Sequence, residues 1–205
     1  YWTAFYMDTR VLAYNTKMAV RDELPKSYEE LLLPKWKGKM GMDNADYILY
    51  GTLQEMMGRE RGSAFLKKLA QQDLVIRNGY PLLTQLLIGG EFPVYMDAFG
   101  STIERFKAQG APIDWVAVEP VIVSLNPLGM AVNAPHPASA KLLIDFLLSK
   151  EGQDIGTSVA KLPARADVEA PYPRLTKGLK LYPVPNAVAE RYGEIVKDFR
   201  ETFLK

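Results

Sequence analysis

Polar and aromatic side chains follow three candidate strands, at positions that a parallel sheet would bring together along one edge. The strands end near Met42, at Arg77 and near Met96. The side chains that follow them are Asn44, Asp46 and Tyr47, then Asn78 and Tyr80, and finally Asp97, Phe99 and Ser101. Carboxylate, amide and hydroxyl groups beside helix N-termini, together with aromatic rings, suit the binding of a small solute.

The same polar residues also have a purely local interpretation, as caps of the helices that follow them. Asn, Asp and Ser are preferred at a helix N-cap, where each stabilises its helix by about 1 kcal/mol. Capping is the simpler explanation for any single residue, whereas three loops at one edge favour a binding wall. Asp97 separates the two interpretations best, because it either caps the helix of Ser101 or reaches a ligand.

Residue types for nucleophilic or metal-dependent catalysis are scarce. The chain has no cysteine and one histidine, which is His136 between two prolines. Neither a cysteine–histidine nucleophile nor a multi-histidine metal site can be built from this set. The sequence also lacks a nucleophile elbow, a P-loop and a glycine-rich dinucleotide motif. It therefore favours binding over catalysis, with no catalytic residue, no metal site and no cofactor.

The composition is that of one globular domain or two small lobes. Hydrophobic residues make up 48% of the 205 residues and charged residues 24%. The formal net charge of +1 gives no sign of a nucleic-acid partner. The chain opens on the aromatic run Tyr1–Tyr6, without the pattern of a signal peptide, which is typical of the interior of a longer protein.

Strands and helices alternate in the part of the chain that carries these loops. Residues 74–118 read as strand, helix, strand, helix, strand with short connections, which predicts consecutive parallel strands in one sheet. Ser101 and Glu104 have the spacing of a capping box at the start of the second helix. Further strands are predicted at Val11–Asn15, Val121–Ser124 and Leu128–Val132.

Three sequence segments occur in an order that is typical of one protein family. The first is Val11-Leu-Ala-Tyr-Asn-Thr-Lys17, followed by Pro25-Lys-Ser-Tyr-Glu-Glu-Leu31 and Pro34-Lys-Trp-Lys-Gly-Lys39. The second combines Arg77-Asn-Gly79 with Gln85-Leu-Leu-Ile-Gly-Gly-Glu91, and the third runs from Asn133 to Gln153. Together they resemble the ferric-iron, thiamine and phosphonate type of bacterial extracellular solute-binding proteins, which serve ABC importers.

This resemblance implies an α/β fold of the type II periplasmic-binding-protein kind, with two lobes joined by crossover strands and the ligand between them. Residues 21–118 would form a nearly complete lobe two. Residues 1–20 and 119–205 would form the crossover strands and the C-terminal part of lobe one, with the remainder and an export signal in a preceding segment. The implied function is periplasmic or extracytoplasmic capture of a small molecule or ion for an ABC permease, without enzymatic activity.

The chain departs from the iron-binding members of that family at one position. Those members typically carry two adjacent tyrosines after the strand that corresponds to Phe92–Met96, where this chain has Tyr95-Met-Asp-Ala-Phe99. Tyr95 is expected to point into the sheet, which disfavours an iron site. Asp97 could pair with an ammonium or a hydroxyl group, and Phe99 could stack on a ligand or pack in the core. The ligand stays open among iron, phosphonate, thiamine-like, polyamine and other solutes.

Two other classes of protein share the implied architecture. The ligand-sensing effector domain of a transcription regulator would have a helix-turn-helix segment upstream. An enzyme on the same fold would need catalytic side chains that this sequence does not supply.

An incomplete lobe one would also leave parts of the chain uncovered. The expected strands Val11–Asn15 and Leu128–Val132 would lack neighbours, and the aromatic run Tyr1–Tyr6 would be exposed. Exposed strand edges and apolar patches promote pairing between chains, so a homo-oligomer is predicted.

Overall fold

The computed structural model describes residues 2–204 and contains eight strands and eight α-helices within that range. The strands are β1 (Thr3–Asn15), β2 (Met40–Asp43), β3 (Val75–Arg77), β4 (Val94–Phe99), β5 (Ile113–Val116), β6 (Val121–Leu128), β7 (Leu162–Pro163) and β8 (Leu181–Pro183). The helices are α1 (Tyr47–Met57), α2 (Arg59–Ala70), α3 (Tyr80–Gly89), α4 (Gly100–Ala108), α5 (Pro137–Leu148), α6 (Lys150–Ser158), α7 (Asn186–Glu190) and α8 (Tyr192–Phe203). Among residues 2–204, none of the helices combines the length and the apolar character needed to span a bilayer.

Strand β1 is 13 residues long and changes its pairing partners along its length. Its first part, up to Thr9, pairs antiparallel with β6, and Tyr6 and Met7 also pair with β7. From Arg10 onward its partners are β4 and β5, again antiparallel. We call the strands on the first part the β6 half and those on the second part the β4 half. One continuous strand therefore connects the two halves between Thr9 and Arg10.

The strands of residues 74–118 run in one direction but are not neighbours. Strand β2 lies between β3 and β4 and is parallel to both. Strand β1 lies between β4 and β5 and is antiparallel to both. The prediction of consecutive parallel strands is therefore wrong in its pairing. Helix α3 connects β3 to β4 across β2, and α4 connects β4 to β5 across β1. The local apolar pattern does not indicate that β2 and β1 occupy these positions.

Side chains of β1 alternate between two cores, as the two-residue period of a strand requires. Leu12 and Tyr14 pack with residues of α1, α2 and α8, whereas Val11 and Ala13 pack with residues of α3 and α4. Because β2, β3 and β4 are parallel, the helices that follow them all begin at the same edge of the sheet. That edge carries the loops that the sequence singles out.

The chain after β6 contributes to both halves. Helices α5 and α6 pack on each other, and α6 packs on β7. Helices α7 and α8 instead pack on α1 and bury Val188, Ile195 and Phe199 in its core. The division into residues 21–118 and the remainder stays a prediction.

Two predictions of strands without neighbours are wrong. Val11–Asn15 has partners on both sides, because β5 returns to pair with β1 opposite β4. Strand β6 continues through Asn126 and Pro127 and ends at Leu128, so no separate strand covers residues 128–132. Of the aromatic run at the start, Trp2 is exposed, and Tyr1 lies outside the described residues.

The exposed apolar surface lies on α5 and α6 instead. No residue of α5 is buried, and Leu142 and Leu143 are 72% and 56% exposed. Ile155 of α6 and Val159, which directly follows that helix, are also exposed. Exposed apolar side chains on two helices that pack on each other favour association in water.

We expect the chain to self-associate through this surface at micromolar concentration. Replacing Leu142 and Leu143 together by Glu should shift the population toward monomer, because burying one leucine is worth about 1.5–3 kcal/mol. Leu82→Glu is the matched control, since Leu82 is an exposed leucine of α3. Sedimentation velocity measures the outcome, and a monodisperse wild-type monomer would contradict the prediction.

Candidate functional site

Arg10 lies on β1 at the point where the strand passes from one half to the other. Its side chain is 6% exposed. Its Nη1 donates to Oδ2 of Asp46 at 2.7 Å and to the Tyr80 hydroxyl at 3.0 Å. Its guanidinium carbon also lies 4.4 Å from the centre of the Phe99 ring. Burial opposes the charge of Arg10, but the charges of Asp46, Tyr80 and Asp97 together outweigh it, so the pKa of Arg10 is raised.

Two aspartates join the loops around Arg10 through backbone hydrogen bonds. Asp46 is the N-cap of α1, and its Oδ1 accepts from the backbone N–H of Leu49 at 2.9 Å. Asp43, at the end of β2, accepts from the N–H of Ala45 at 2.8 Å and from that of Gly79 at 2.6 Å. The loops that precede α1 and α3 are therefore held at a fixed separation.

Asp97 lies at an irregularity of β4 and is completely buried. Val11 faces Ala98 and Ala13 faces Tyr95, so β4 has one residue more than β1 over this interval, which defines a β-bulge. Neither carboxyl oxygen of Asp97 has a hydrogen-bond partner among the described residues. Burial, followed by the neighbouring charge of Asp46, raises the pKa of Asp97 well above its ordinary value. The group is therefore poised to hold a proton beside the Asp46 carboxylate.

Two tyrosines next to Asp97 also favour their neutral forms. Tyr95 is fully buried, and its hydroxyl has no partner in the described part of the chain. Burial raises the pKa of Tyr95, and the nearby Asp97 adds to the effect. Burial likewise raises the pKa of Tyr80. Both phenols are consequently poor sources of phenolate.

A second polar group connects α4 with the β6 half. The carboxylate of Asp8 accepts from the Ser101 hydroxyl at 3.2 Å and from Nδ2 of Asn126 at 3.0 Å. Burial raises the pKa of Asp8, and Lys161 acts in the opposite direction. The Lys161 ammonium lies 4.4 Å from the centre of the Tyr6 ring.

The structure brings four of the eight predicted site residues together around Arg10. Asp46, Tyr80, Asp97 and Phe99 form this cluster, and the rings of Tyr80 and Phe99 lie 4.5 Å apart. Ser101 lies nearby, bonded to Asp8. Convergence of the three loops is thus seen in the geometry, while ligand binding by these residues stays a prediction.

The other three predicted residues lie at the margin of the cluster or away from it. Asn44 is half-buried, and its backbone N–H donates to the carbonyl of Arg77 at 2.9 Å. Asn78 is exposed. Tyr47 packs edge-on against Tyr192 and Phe199 of α8, with ring centres 5.9 and 5.1 Å apart. Tyr47 therefore belongs to the contact between α1 and α8.

Two local expectations about α4 are wrong. The helix begins at Gly100, so Ser101 is already inside its first turn and is not an N-cap. Glu104 accepts from the indole N–H of Trp115 at 2.7 Å, so the two residues form no capping box. Asp97 neither caps this helix nor exposes any surface to a cleft. Its buried carboxyl instead neighbours that of Asp46.

Sequence reasoning missed Arg10, Asp8 and Asp43. A signal for the first two exists in β1, because charged residues two positions apart lie on the same face of a strand. A buried face that carries both an acid and a base indicates partners elsewhere in the chain. Asp43 precedes the polar loop directly and bonds two backbone N–H groups.

Comparison with known families decides the classification. A family model described as bacterial extracellular solute-binding protein matches residues 1–179. The chain belongs to this family. The resemblance inferred from the three sequence segments is therefore confirmed.

Solved structures agree with the fold expected for a solute-binding protein. The periplasmic binding protein AfuA from Actinobacillus pleuropneumoniae, with exogenous fructose-6-phosphate bound, superposes with a TM-score of 0.83 at 22% identity and covers 98% of this chain and 68% of its own. The ferric binding protein from Campylobacter jejuni gives a TM-score of 0.84 at 20% identity and covers 98% and 70%. The expected α/β fold of the type II periplasmic-binding-protein kind is confirmed.

A curated relative of this solute-binding protein is an uncharacterized protein from Haemophilus influenzae (strain Rd). The two are 25% identical over 173 residues, which is 76% of this chain and 47% of the relative. The chain thus spans about half the length of the curated relative that it matches.

We expect Asp97→Asn to stabilise the protein increasingly as the pH rises. Because the pKa of the Asp97 carboxyl is raised in the folded state, the protein loses stability as the pH rises above the ordinary range of an aspartate and toward the raised pKa. Asn carries no such penalty, so the variant should unfold at a higher temperature than wild type near pH 8. Near pH 4 the difference should vanish.

Asp43→Asn is the matched control for this measurement, because both Asp43 oxygens accept backbone hydrogen bonds. An amide can replace only one of these acceptors, so this variant should be destabilised by about 1–3 kcal/mol. Thermal unfolding followed by circular dichroism across the pH range checks both variants. A constant difference between Asp97→Asn and wild type would show that Asp97 holds no extra proton.

Proposed function

We propose that this chain is the ligand-holding part of a protein that captures a small solute outside the cytoplasm and delivers it to an ABC permease. The observation that carries the proposal is the cluster around Arg10. Side chains from three separate loops meet a residue of the strand that connects the two halves. We call the side chains of this cluster the wall. A ligand on the wall would contact the β4 half next to Thr9 and Arg10, where β1 passes from one half to the other. Membership of the solute-binding family supports the same function.

Capture of this kind needs differential affinity and no covalent chemistry. A ligand shifts the protein toward a closed state only by binding that state more tightly. Arg10 is held by Asp46, and Asp46 and Asp43 accept from backbone N–H groups, which favours a preformed wall. We therefore propose binding and release rather than catalysis.

The charges of the wall favour an organic solute over ferric iron. Arg10 and Asp46 neutralise each other, and the raised pKa of Asp97 favours its uncharged form. Ferric iron prefers anionic oxygen ligands, whereas the pKa values of Tyr80 and Tyr95 are both raised. The Tyr80 and Phe99 rings instead offer a surface for an apolar or ring-shaped part of a ligand.

Native mass spectrometry of the full-length gene product, purified without denaturation, should reveal a small non-protein adduct. Titration with the identified compound should then show that Phe99→Leu weakens binding by about threefold to tenfold, as expected for loss of one stacking contact. Phe203→Leu in α8 is the matched control, because Phe203 packs with Tyr50 and Phe199. Equal affinities of the two variants would remove Phe99 from the site.

Addition of ferric ion near neutral pH should produce no phenolate-to-iron absorption band in the visible range. The physical reason is the raised pKa of both wall tyrosines, since a neutral phenol is a weak ligand for a hard cation. A ferric binding protein measured in parallel supplies the positive control. A band that disappears in the Tyr80→Phe variant would contradict the preference for an organic solute.

A further inference from the structure

Residues 164–180 leave the β6 half, dock on the β4 half and return. This segment, which we call the strap, follows β7, whose residues pair with Tyr6 and Met7 of β1. It precedes β8, whose residues pair with Val121–Val123 of β6. Between these two anchors it places Leu175 in the core of the β4 half. The strap therefore crosses between the halves twice.

Leu175 packs against the first residue of α4. Its side chain is completely buried. A side chain at Gly100 would collide with Leu175 and with the hydroxyl of Thr9, so glycine is required where the strap approaches the helix. The contact lies one residue after Phe99, at the wall of the candidate site.

Arg174 fixes the strap to two elements of the β4 half at once. Its guanidinium pairs with the carboxylates of Glu104 on α4 and Asp114 on β5, whose side chains are 10% and 15% exposed. It also stacks on Trp115, with 4.4 Å between the guanidinium carbon and the ring centre. The planar fork of arginine suits such a combination of two carboxylates and a ring, which lysine cannot reproduce.

The first turn of α4 has a second connection to the β6 half. Ser101 donates to Asp8, and Asn126 of β6 donates to the other oxygen of the same carboxylate. The helix that follows Phe99 is thus held by the strap and also by the strands of the other half.

We propose that Arg174 is a positioning residue, through which the strap holds α4 to the β6 half and limits how far the two halves separate. The proposal rests on the proposed capture by closure of the halves. If the halves turn between Thr9 and Arg10, both ends of the strap move with the β6 half. The strap must then either carry α4 with it or release Arg174 from Glu104 and Asp114.

The absence of cysteine from the sequence allows a direct distance measurement. Spin labels on Lys67→Cys in α2 and Lys141→Cys in α5, both exposed positions, report the separation of the halves by double electron–electron resonance. Arg174→Ala should lengthen and broaden the distance distribution, and Arg174→Lys should lie between this variant and wild type. Arg165→Ala is the matched control within the strap, because Arg165 is exposed and pairs with Asp167. Its distribution should match that of wild type.

The indole N–H resonance of Trp115, assigned by Trp115→Phe, shows separately that the stack of Arg174 on Trp115 is lost in the variant. A shifted Trp115 signal in Arg174→Ala with an unchanged distance distribution would overturn the proposal, because the contacts of Arg174 would then be lost without effect on the halves. If Arg174→Ala does not fold, Arg174→Lys decides by the same two measurements. Both are made without added solute, so a failure to capture solute would leave their result intact.

Discussion

The ion pair between Arg10 and Asp46 joins the strand that connects the two halves to the first turn of α1. The two side chains are 6% and 1% exposed. Removing one partner of a buried pair costs about 3–5 kcal/mol, because the other charge is left without compensation. The same guanidinium also holds the Tyr80 hydroxyl and lies over Phe99. The starts of α1 and α3 and the end of β4 therefore depend on one buried charge.

Asp97 adds a third carboxyl, after those of Asp43 and Asp46, to a site that contains one guanidinium. Burial and the neighbouring charge of Asp46 raise the pKa of Asp97, which favours the uncharged form of its carboxyl. Asp97 lies at the β-bulge of β4, so this burial occurs where the pairing with β1 is irregular. Arg10, Asp43 and Asp46 are therefore hydrogen-bonded before any solute arrives, whereas the Asp97 carboxyl has no partner among the described residues.

Much of this wall could be predicted from local sequence, and the remainder depends on distant pairing. The starts of α1 and α3 and the position of Phe99 follow from strand ends and turn residues within a few positions of each other. The role of Arg10 could not be derived in this way, because its partners Asp46 and Tyr80 lie far along the chain. The sequence predicts Tyr47 in the wall because nothing near it in sequence indicates its contacts with Tyr192 and Phe199 of α8. The pairing order failed for the same reason, since β1 and β2 fill gaps between strands that follow one another in sequence.

The double pairing of β1 also determines the order in which the protein can fold. Along the described chain, each strand that pairs with β1 is synthesised long after it, since the first of them, β4, begins only at Val94. Closing such long loops lowers the conformational entropy of the chain before the new contacts stabilise it. A high contact order of this kind slows folding. The sheets of both halves can therefore be completed only after strands from much later in the chain are available to pair with β1.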